Sequence, residues 1–352
     1  MRWQAQQLSA VDDGALPGLS RISGLVRTVR TPEFAGVTFY EVQAKSALNR
    51  VPGGSPMPFE WTVNPMRGCV HSCTYCFARK THEYLDLDTG RDFDNRIVVK
   101  VNVGDVVRRE VARASWARAH VALGTNTDPY QRPEGRYRLM PGIIDALVGS
   151  GTPLSILTKG TLLRRDLPQL TAAAERVPVG VGVSLALLDP VLQARFEPGT
   201  PTPRARLELI CAVREAGLRC SVMVAPVLPY LTDTTDQLDA IFAELAAVEA
   251  THVTVLALHL RPGTREWFMS NLARDRPDLV PRYRALYGRG SYVAKDYRET
   301  LQARVRPLLD RYRFGRGVDV EDSGGDPGQW VHELRMPGGP SVAELTPEPA
   351  LF

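Results

Sequence analysis

The sequence predicts an α/β fold, on three observations. Extended runs and amphipathic segments alternate from residue 59 to about 270, giving six strand–helix units. The extended runs are apolar throughout, as in VTVLALHL at 253–260, which suits strands covered on both faces. The polar residues capable of chemistry fall at the ends of those runs, where parallel α/β folds gather function. Six units are fewer than the eight of a closed barrel. The alternation leaves two architectures open, an incomplete barrel and a doubly wound sheet.

Residues 1–55 read as an N-terminal extension. Within it, 24–29 and 36–42 carry strand-like Val, Phe and Tyr and would form a hairpin or a lid edge. Residues 51–58, VPGGSPMP, are turn-formers and read as a linker. The core, 56–270, opens with a strand at 59–63 that runs into a cysteine loop, then a helix at 78–84. IVVKVNV at 97–103 is an extra, peripheral strand. A helix at 105–118 places Val106, Val107, Val111 and Ala114 on one side. Further strands are expected at 120–123, 153–157, 177–185, 220–225 (ending at Pro226) and 252–258, the last clear one. Helices are expected at 141–147, 167–175, 204–216 and 234–249. Gly217 suits a helix C-terminus, and Asp233 or Thr232 would cap the helix at 234–249. Residues 271–352 form a helical and irregular extension. Its helix at 299–312 contains Pro307, which should kink or divide it, and the tail beyond 322 reads as irregular. The chain shows no internal repeat.

The 352 residues are 44% hydrophobic, enough for a sizeable core, and carry a net charge of +4 from 43 basic and 39 acidic side chains. That balance is weak evidence for a polyanionic partner. No apolar run of about 18 residues suggests a membrane span. The start, MRWQAQQLSAVDDG, lacks the apolar stretch of a secretory signal. Three of the five cysteines crowd into one loop, which fits metal binding in a reducing compartment better than a disulfide framework. The expected location is the cytoplasm.

That loop, NPMRGCVHSCTYCFAR at 64–79, holds Cys69, Cys73 and Cys76 as C-x3-C-x2-C. Three thiolates on one short segment suit a centre that keeps one coordination position open. Iron–sulfur clusters usually take four cysteines, so three leave one iron free for another ligand. The competing reading is structural zinc with His71 as fourth ligand, in a non-enzymatic scaffold. Structural zinc ligands usually come as two pairs from separate turns, and no second pair is present. Cys211 and Cys220 stand singly and read as core residues.

The spacing, with Tyr75 before the last cysteine, resembles the radical S-adenosylmethionine (SAM) enzymes. The wider motifs resemble their spore-photolyase-like branch: NPMRGC-x3-C-x-YCFAR, KSALN at 45–49, TDPYQRPE at 127–134, ILTKG at 156–160, VSLALLD at 183–189, EPGTPTPRARL at 197–207 and APVLPYLTD at 225–233. The likeness covers roughly 45–300. It implies a partial (β/α)6 TIM barrel, with Cys69, Cys73 and Cys76 holding a [4Fe–4S] cluster and SAM chelating its open iron. A one-electron donor such as flavodoxin or ferredoxin would drive cleavage of SAM to a 5′-deoxyadenosyl radical that abstracts hydrogen from substrate. Tyr75 would lie near the adenine. Asn126, Thr127 and Asp128 would stand at the SAM amino group, Lys159 at its carboxylate, and Ser184 at the ribose or carboxylate. His259 and Arg261 are candidates for substrate contact, with surface or core roles as the alternative. The resemblance, with the basic pairs Arg108-Arg109 and Arg164-Arg165, also allows a nucleic-acid substrate whose base is repaired or modified. There are departures: spore photolyase has tyrosine where this chain has Phe77, and its further hydrogen-returning cysteine has no counterpart between Val121 and Glu134.

Overall fold

The computed structural model describes residues 24–51 and 59–316. The linker expected at 51–58, beyond Val51, and the tail beyond 322 lie outside the described residues.

Two sheets form. The smaller contains β1 (Leu25–Val29), β2 (Thr38–Val42), β5 (Met66–Arg67) and β6 (Arg96–Lys100), in the order β1-β2-β6-β5. β1 and β2 are the expected antiparallel hairpin. β6, from IVVKVNV, lies outside the main sheet, as expected. Its pairing with β5, Met66↔Val99 and Arg67↔Val98, ends two residues before Cys69.

The larger sheet runs β12-β11-β10-β9-β8-β7-β4-β3. Its members are β3 (Leu48–Arg50), β4 (Trp61–Val63), β7 (Val121–Leu123), β8 (Leu154–Thr158), β9 (Val179–Ser184), β10 (Cys220–Val227), β11 (His252–Ala257) and β12 (Gly315–Arg316). From β4 through β11, six strands pair in parallel and stand in chain order. A doubly wound sheet reverses its strand order at a switch point. No reversal occurs here, so this is the partial (β/α)6 barrel. β3 caps one edge antiparallel to β4, and β12 the other beside β11.

Apolar spacing explains the helices. Helix Val103–Val111 buries Val103, Val106, Val107 and Val111 on one stripe. It packs on helix Leu139–Gly149, where Gly104 and Gly142 let the backbones approach closely. Helix Pro203–Glu215 buries Leu209, Ile210 and Val213 and ends before Gly217, whose φ of +79° suits a left-handed C-terminus.

Several expectations change. The helix expected at 105–118 stops at Val111. The apolar stripe ends there, and the chain turns to seat Trp116 edge-on against Trp61, its indole donating to Thr152 Oγ1 at 2.8 Å. The segment expected as a helix at 78–84 is a 3-10 helix, Phe77–Leu85, long for that type. Helix Thr235–Ala247 is capped by Thr234 in a capping box with Gln237. Thr232 and Asp233 are otherwise engaged: Thr232 Oγ1 accepts from the Leu228 amide at 2.8 Å, and the Asp233 carboxylate from Tyr297 Oη at 2.8 Å. β10 continues through Pro226, where its register with β11 shifts. A last short strand, β12, follows β11. Helix Lys295–Arg311 begins earlier than expected and Pro307 does not divide it. Pro307 and Ala303 are both exposed, so the proline lies on the solvent side of the helix.

Candidate radical-chemistry site at the carboxyl ends of the strands

The cysteine loop leaves β4 and crosses the carboxyl ends of the parallel strands. Buried side chains hold its peptides. Beside Cys69, Gln131 Oε1 accepts from the Val70 amide at 2.9 Å, and its Nε2 donates to the Gly68 carbonyl at 3.2 Å. Thr127 Oγ1 donates to the same carbonyl at 2.7 Å. Gly68 has φ +81°, and a Cβ there would lie 2.8–3.0 Å from Ile97, Phe93 and His82 atoms. At Cys73, Arg79 Nε and Nη2 donate to the carbonyl at 3.0 and 2.9 Å. Arg79 is fully buried; it also pairs with Asp94 at 2.7 Å and lies 5.1 Å from the ring centroids of Phe93 and Trp267. At Cys76, Thr264 Oγ1 donates to the carbonyl at 2.9 Å.

The three thiols are unbridged. Burial pushes Cys73 well above its ordinary range and Cys76 to about 11. Burial thus favours the protonated form of Cys73 and Cys76, and a bound cation would hold both as thiolates. Around one zinc, with Zn–S near 2.3 Å, tetrahedral sulfurs stand about 3.8 Å apart. Among the described residues no three Cys, His, Asp or Glu side chains converge on one ion in that way. In a cluster each cysteine binds its own iron, and the sulfurs are spread wider. Three soft ligands on one braced loop are a donor set that fits an iron–sulfur cluster with one iron left open.

The other predicted residues lie on the neighbouring loops. Asp128, after β7, accepts from the Tyr130 amide at 2.9 Å, Thr158 Oγ1 at 2.5 Å and the Lys159 amide at 2.6 Å. His71 Nδ1 stands 3.3 Å from Oδ2, the oxygen that also accepts from Lys159. Burial, the largest influence, raises the Asp128 pKa, but His71 and these donors together bring it below the ordinary value. For His71 the signs reverse: burial lowers its pKa, and Cys69 with Asp128 outweighs that, holding it at about 10. His71, the alternative zinc ligand, thus lies against both Cys69 and Asp128. Thr127 is buried, while Asn126 is exposed with its amide donating to Asn64 Oδ1 at 2.9 Å.

Lys159 and Ser184, from β8 and β9, do meet: Nζ donates to Ser184 Oγ at 2.5 Å. Both belong to a buried network with Glu197, Arg206 and Tyr75. Tyr75 Oη donates to Glu197, and Lys159 Nζ lies 3.7 Å from that carboxylate and 5.9 Å from the Tyr75 ring centroid. Arg206 Nη2 donates to Glu197 at 2.6 Å and Nη1 to the Ser184 carbonyl at 3.0 Å. Burial is the largest influence on Glu197 and raises its pKa. Arg206, Lys159 and the Tyr75 hydrogen bond overcome it and hold the group at about 2. The site therefore keeps a fixed negative charge beneath Lys159.

A rim of π groups completes the site. Phe77, next to Cys76, is 45% exposed, with the Arg261 guanidinium 5.7 Å from its ring centroid. His259 stacks on exposed Tyr292 at 4.2 Å. Burial and Arg261 lower the His259 pKa to about 4. His259 and Arg261 follow β11, on the segment tied to Cys76 through Thr264.

Sequence reasoning assigned no role to Gln131, Arg79, Glu197 or Arg206. All four lie inside quoted motifs, and polar residues in a run otherwise built for a turn were the available signal. Cys220 is a core residue as expected, whereas Cys211 is half-buried and donates to Glu215 at 3.3 Å. The basic pairs are partly engaged: Arg108 with Asp105 at 2.7 Å, and Arg165 with Glu134 at 2.8 Å and Asp166 at 2.7 Å.

Comparison with known proteins agrees with this picture. The family model described as Radical SAM superfamily matches residues 63–241. An uncharacterized protein of Mycobacterium tuberculosis is 62% identical over 318 residues, 89% of this chain and 93% of the relative. Another, from Methanocaldococcus jannaschii, is 23% identical over 199 residues, 56% and 70% of the two chains. Among solved structures, a spore photoproduct lyase mutant covers 78% of this chain and 79% of its own, with a TM-score of 0.59 and 16% identity. A spore photoproduct lyase complexed with dinucleoside spore photoproduct gives the same TM-score and identity over the same shares. A third, with bound AdoMet and dinucleoside spore photoproduct, covers 77% and 78% at 0.57 and 16%. At such identities the likeness is one of fold.

Proposed function

This chain belongs to the radical SAM superfamily, and on that premise we propose that Cys69, Cys73 and Cys76 hold a [4Fe–4S] cluster whose open iron takes SAM. The chain is a radical SAM enzyme. When bound, these groups supply a 5′-deoxyadenosyl radical, formed on one-electron reduction by a donor such as flavodoxin or ferredoxin, which removes hydrogen from substrate. The observation that carries this reading is the meeting of Lys159 and Ser184 on the strand ends beside the braced cysteine loop.

Lys159 supplies the cation for the SAM carboxylate. Ser184 orients that ammonium and offers a further hydrogen bond. Glu197, fully buried and itself fixed by Arg206, holds Lys159 in place. Tyr75 has its hydroxyl spent on Glu197, which would leave its ring for the adenine. Asn126, exposed after β7, would meet the amino group. Asp128 and Thr127 serve differently from the expectation of direct contact. Donors within the chain already surround the Asp128 carboxylate, and Thr127 Oγ1 is bonded to Gly68 and Gln131. We assign both to bracing the loop. We retain 56–270 as the catalytic core, with 1–55 and 271–352 as extensions. A reducing, cytoplasmic setting suits the three thiols. Among the described residues no helix is long and apolar enough to cross a membrane.

Anaerobic reconstitution with iron and sulfide, then reduction with SAM present, should release 5′-deoxyadenosine. Cys73→Ala should hold no cluster and release none. A reconstituted wild-type protein that carries no cluster, or that carries one and never cleaves SAM, rules this reading out.

A second reading, repair or modification of a nucleic-acid base by the same chemistry, is favoured by the exposed rim of Phe77, Tyr292 and Arg261. Exposed rings and guanidinium planes are surfaces on which bases stack. Two of the solved structures of like fold hold a dinucleoside lesion. Binding of single-stranded oligonucleotide should weaken as salt rises, and no binding at low salt removes this reading.

A further inference from the structure

We propose that Gln131 is the positioning residue for Cys69: its one side-chain amide grips the peptides on both sides of that cysteine and sets where the thiolate stands. The inference rests on the reading of Cys69 as a cluster ligand. Gln131 is fully buried. Its Oε1 accepts from the Val70 N–H at 2.9 Å, and its Nε2 donates to the Gly68 carbonyl at 3.2 Å and to Thr127 Oγ1 at 2.8 Å. Among the described residues no other side chain bonds both neighbours of a cluster cysteine. The amide fits one way round, because a flip would set oxygen against the Gly68 carbonyl and NH2 against the Val70 amide.

The grip is anchored. Gln131 sits in a turn, its amide donating to the Asp128 carbonyl at 3.4 Å and its carbonyl accepting from Glu134 N–H at 2.8 Å. Asp128 ties that turn to the Lys159 amide at the end of β8. Gln131 thus couples Cys69 mechanically to the loop that presents Lys159. At the other two ligands the side-chain contacts fall only on the cysteine's own carbonyl, from Arg79 at Cys73 and from Thr264 at Cys76. Without Gln131, the Val70 amide would lose its acceptor and the Gly68 carbonyl would keep only Thr127 Oγ1, so the loop would relax to find other partners.

The test uses the full chain reconstituted anaerobically, read by iron and sulfide content, by the rate at which a chelator strips iron, and by the electron paramagnetic resonance of the reduced cluster. Loss of outer contacts typically weakens metal binding about 10–100-fold. Gln131→Leu should lose iron faster by that order and show an altered resonance. Gln131→Glu, which keeps the acceptor for Val70, should fall between it and wild type. The thermal midpoint of the cluster-free proteins is read in parallel, because a purely structural role would lower it and leave iron loss from the folded protein unchanged. Wild-type rates in both variants overturn the proposal. If Gln131→Leu does not fold, Gln131→Glu decides alone: faster loss than wild type supports it, equal loss overturns it. A wild-type chain that takes up no cluster removes the functional reading instead.

Discussion

Two side chains at the site are governed by their surroundings enough to forecast their behaviour. Arg206 and Glu197 form an ion pair with no exposure on either side chain. Removing one member of a buried pair strands the other charge and costs about 3–5 kcal/mol, whereas neutralising both is far milder. Arg206→Met should therefore lower the free energy of urea unfolding by that amount, and Glu197→Gln combined with Arg206→Met should recover most of it. A single variant within about 1 kcal/mol of wild type contradicts this account of the pair. His259 offers a pH test. Its pKa falls from 6.5 to about 4 on folding, so the folded state disfavours the proton. Its contribution is present above pH 6.5 and is lost as pH drops toward 4. His259→Phe keeps a ring against Tyr292 and removes the titration. Thermal midpoints of the two proteins should diverge in favour of the variant between pH 6.5 and 4; parallel curves there would show that His259 keeps its ordinary pKa.

At the scale of elements, the strand ends were readable because a parallel strand must finish where its apolar run meets a polar residue. Lys159 and Ser184 were placed that way, each from its own run. What the runs could not show is which loops touch. Glu197 and Tyr75 are 122 positions apart and share a hydrogen bond; Thr264 and Cys76 are 188 apart and share another. Such pairings depend on how the loops stack, and local periodicity carries no trace of them. Asp128 is the instructive case. Its place after β7 was legible, but its carboxylate is used up by donors from three directions. Loop stacking also makes some positions intolerant. The Gly199 amide donates to the His71 carbonyl at 3.0 Å, and a Cβ at Gly199 would overlap the Val70 carbonyl. Gly199→Ala must push the cysteine loop off the segment following Phe196. Overpacking of this kind costs about 1–3 kcal/mol. Chemical denaturation of the cluster-free chain should show that loss, with iron uptake reduced in the protein that remains folded. Full uptake at wild-type stability would mean that the loop has slack.

The whole molecule was the most legible level, because six alternating units in sequence already limit the sheet to two architectures and an unbroken strand order selects the barrel. An open barrel has a consequence that a closed one lacks: its last parallel strand needs cover. Among the described residues β11 receives two paired positions from β12, His252↔Gly315 and Val253↔Arg316. Helix Lys295–Arg311 supplies the rest, lying against β11 and helix Thr235–Ala247 with Leu301, Val305 and Leu308 buried. That burial outweighs the roughly 3 kcal/mol penalty of proline inside a helix, which is why Pro307, read from sequence as a break, sits in an intact one. The same contacts predict how the open side fails. Val305→Asp with Leu308→Asp would place two carboxylates against the apolar wall and lift the helix from β11. An uncovered parallel edge invites pairing with another chain. Light scattering should then detect aggregation at temperatures where wild type is unchanged. Arg306→Asp, an exposed position on the same helix, should not aggregate. If the buried pair behaves like Arg306→Asp, the barrel is closed by something other than this helix.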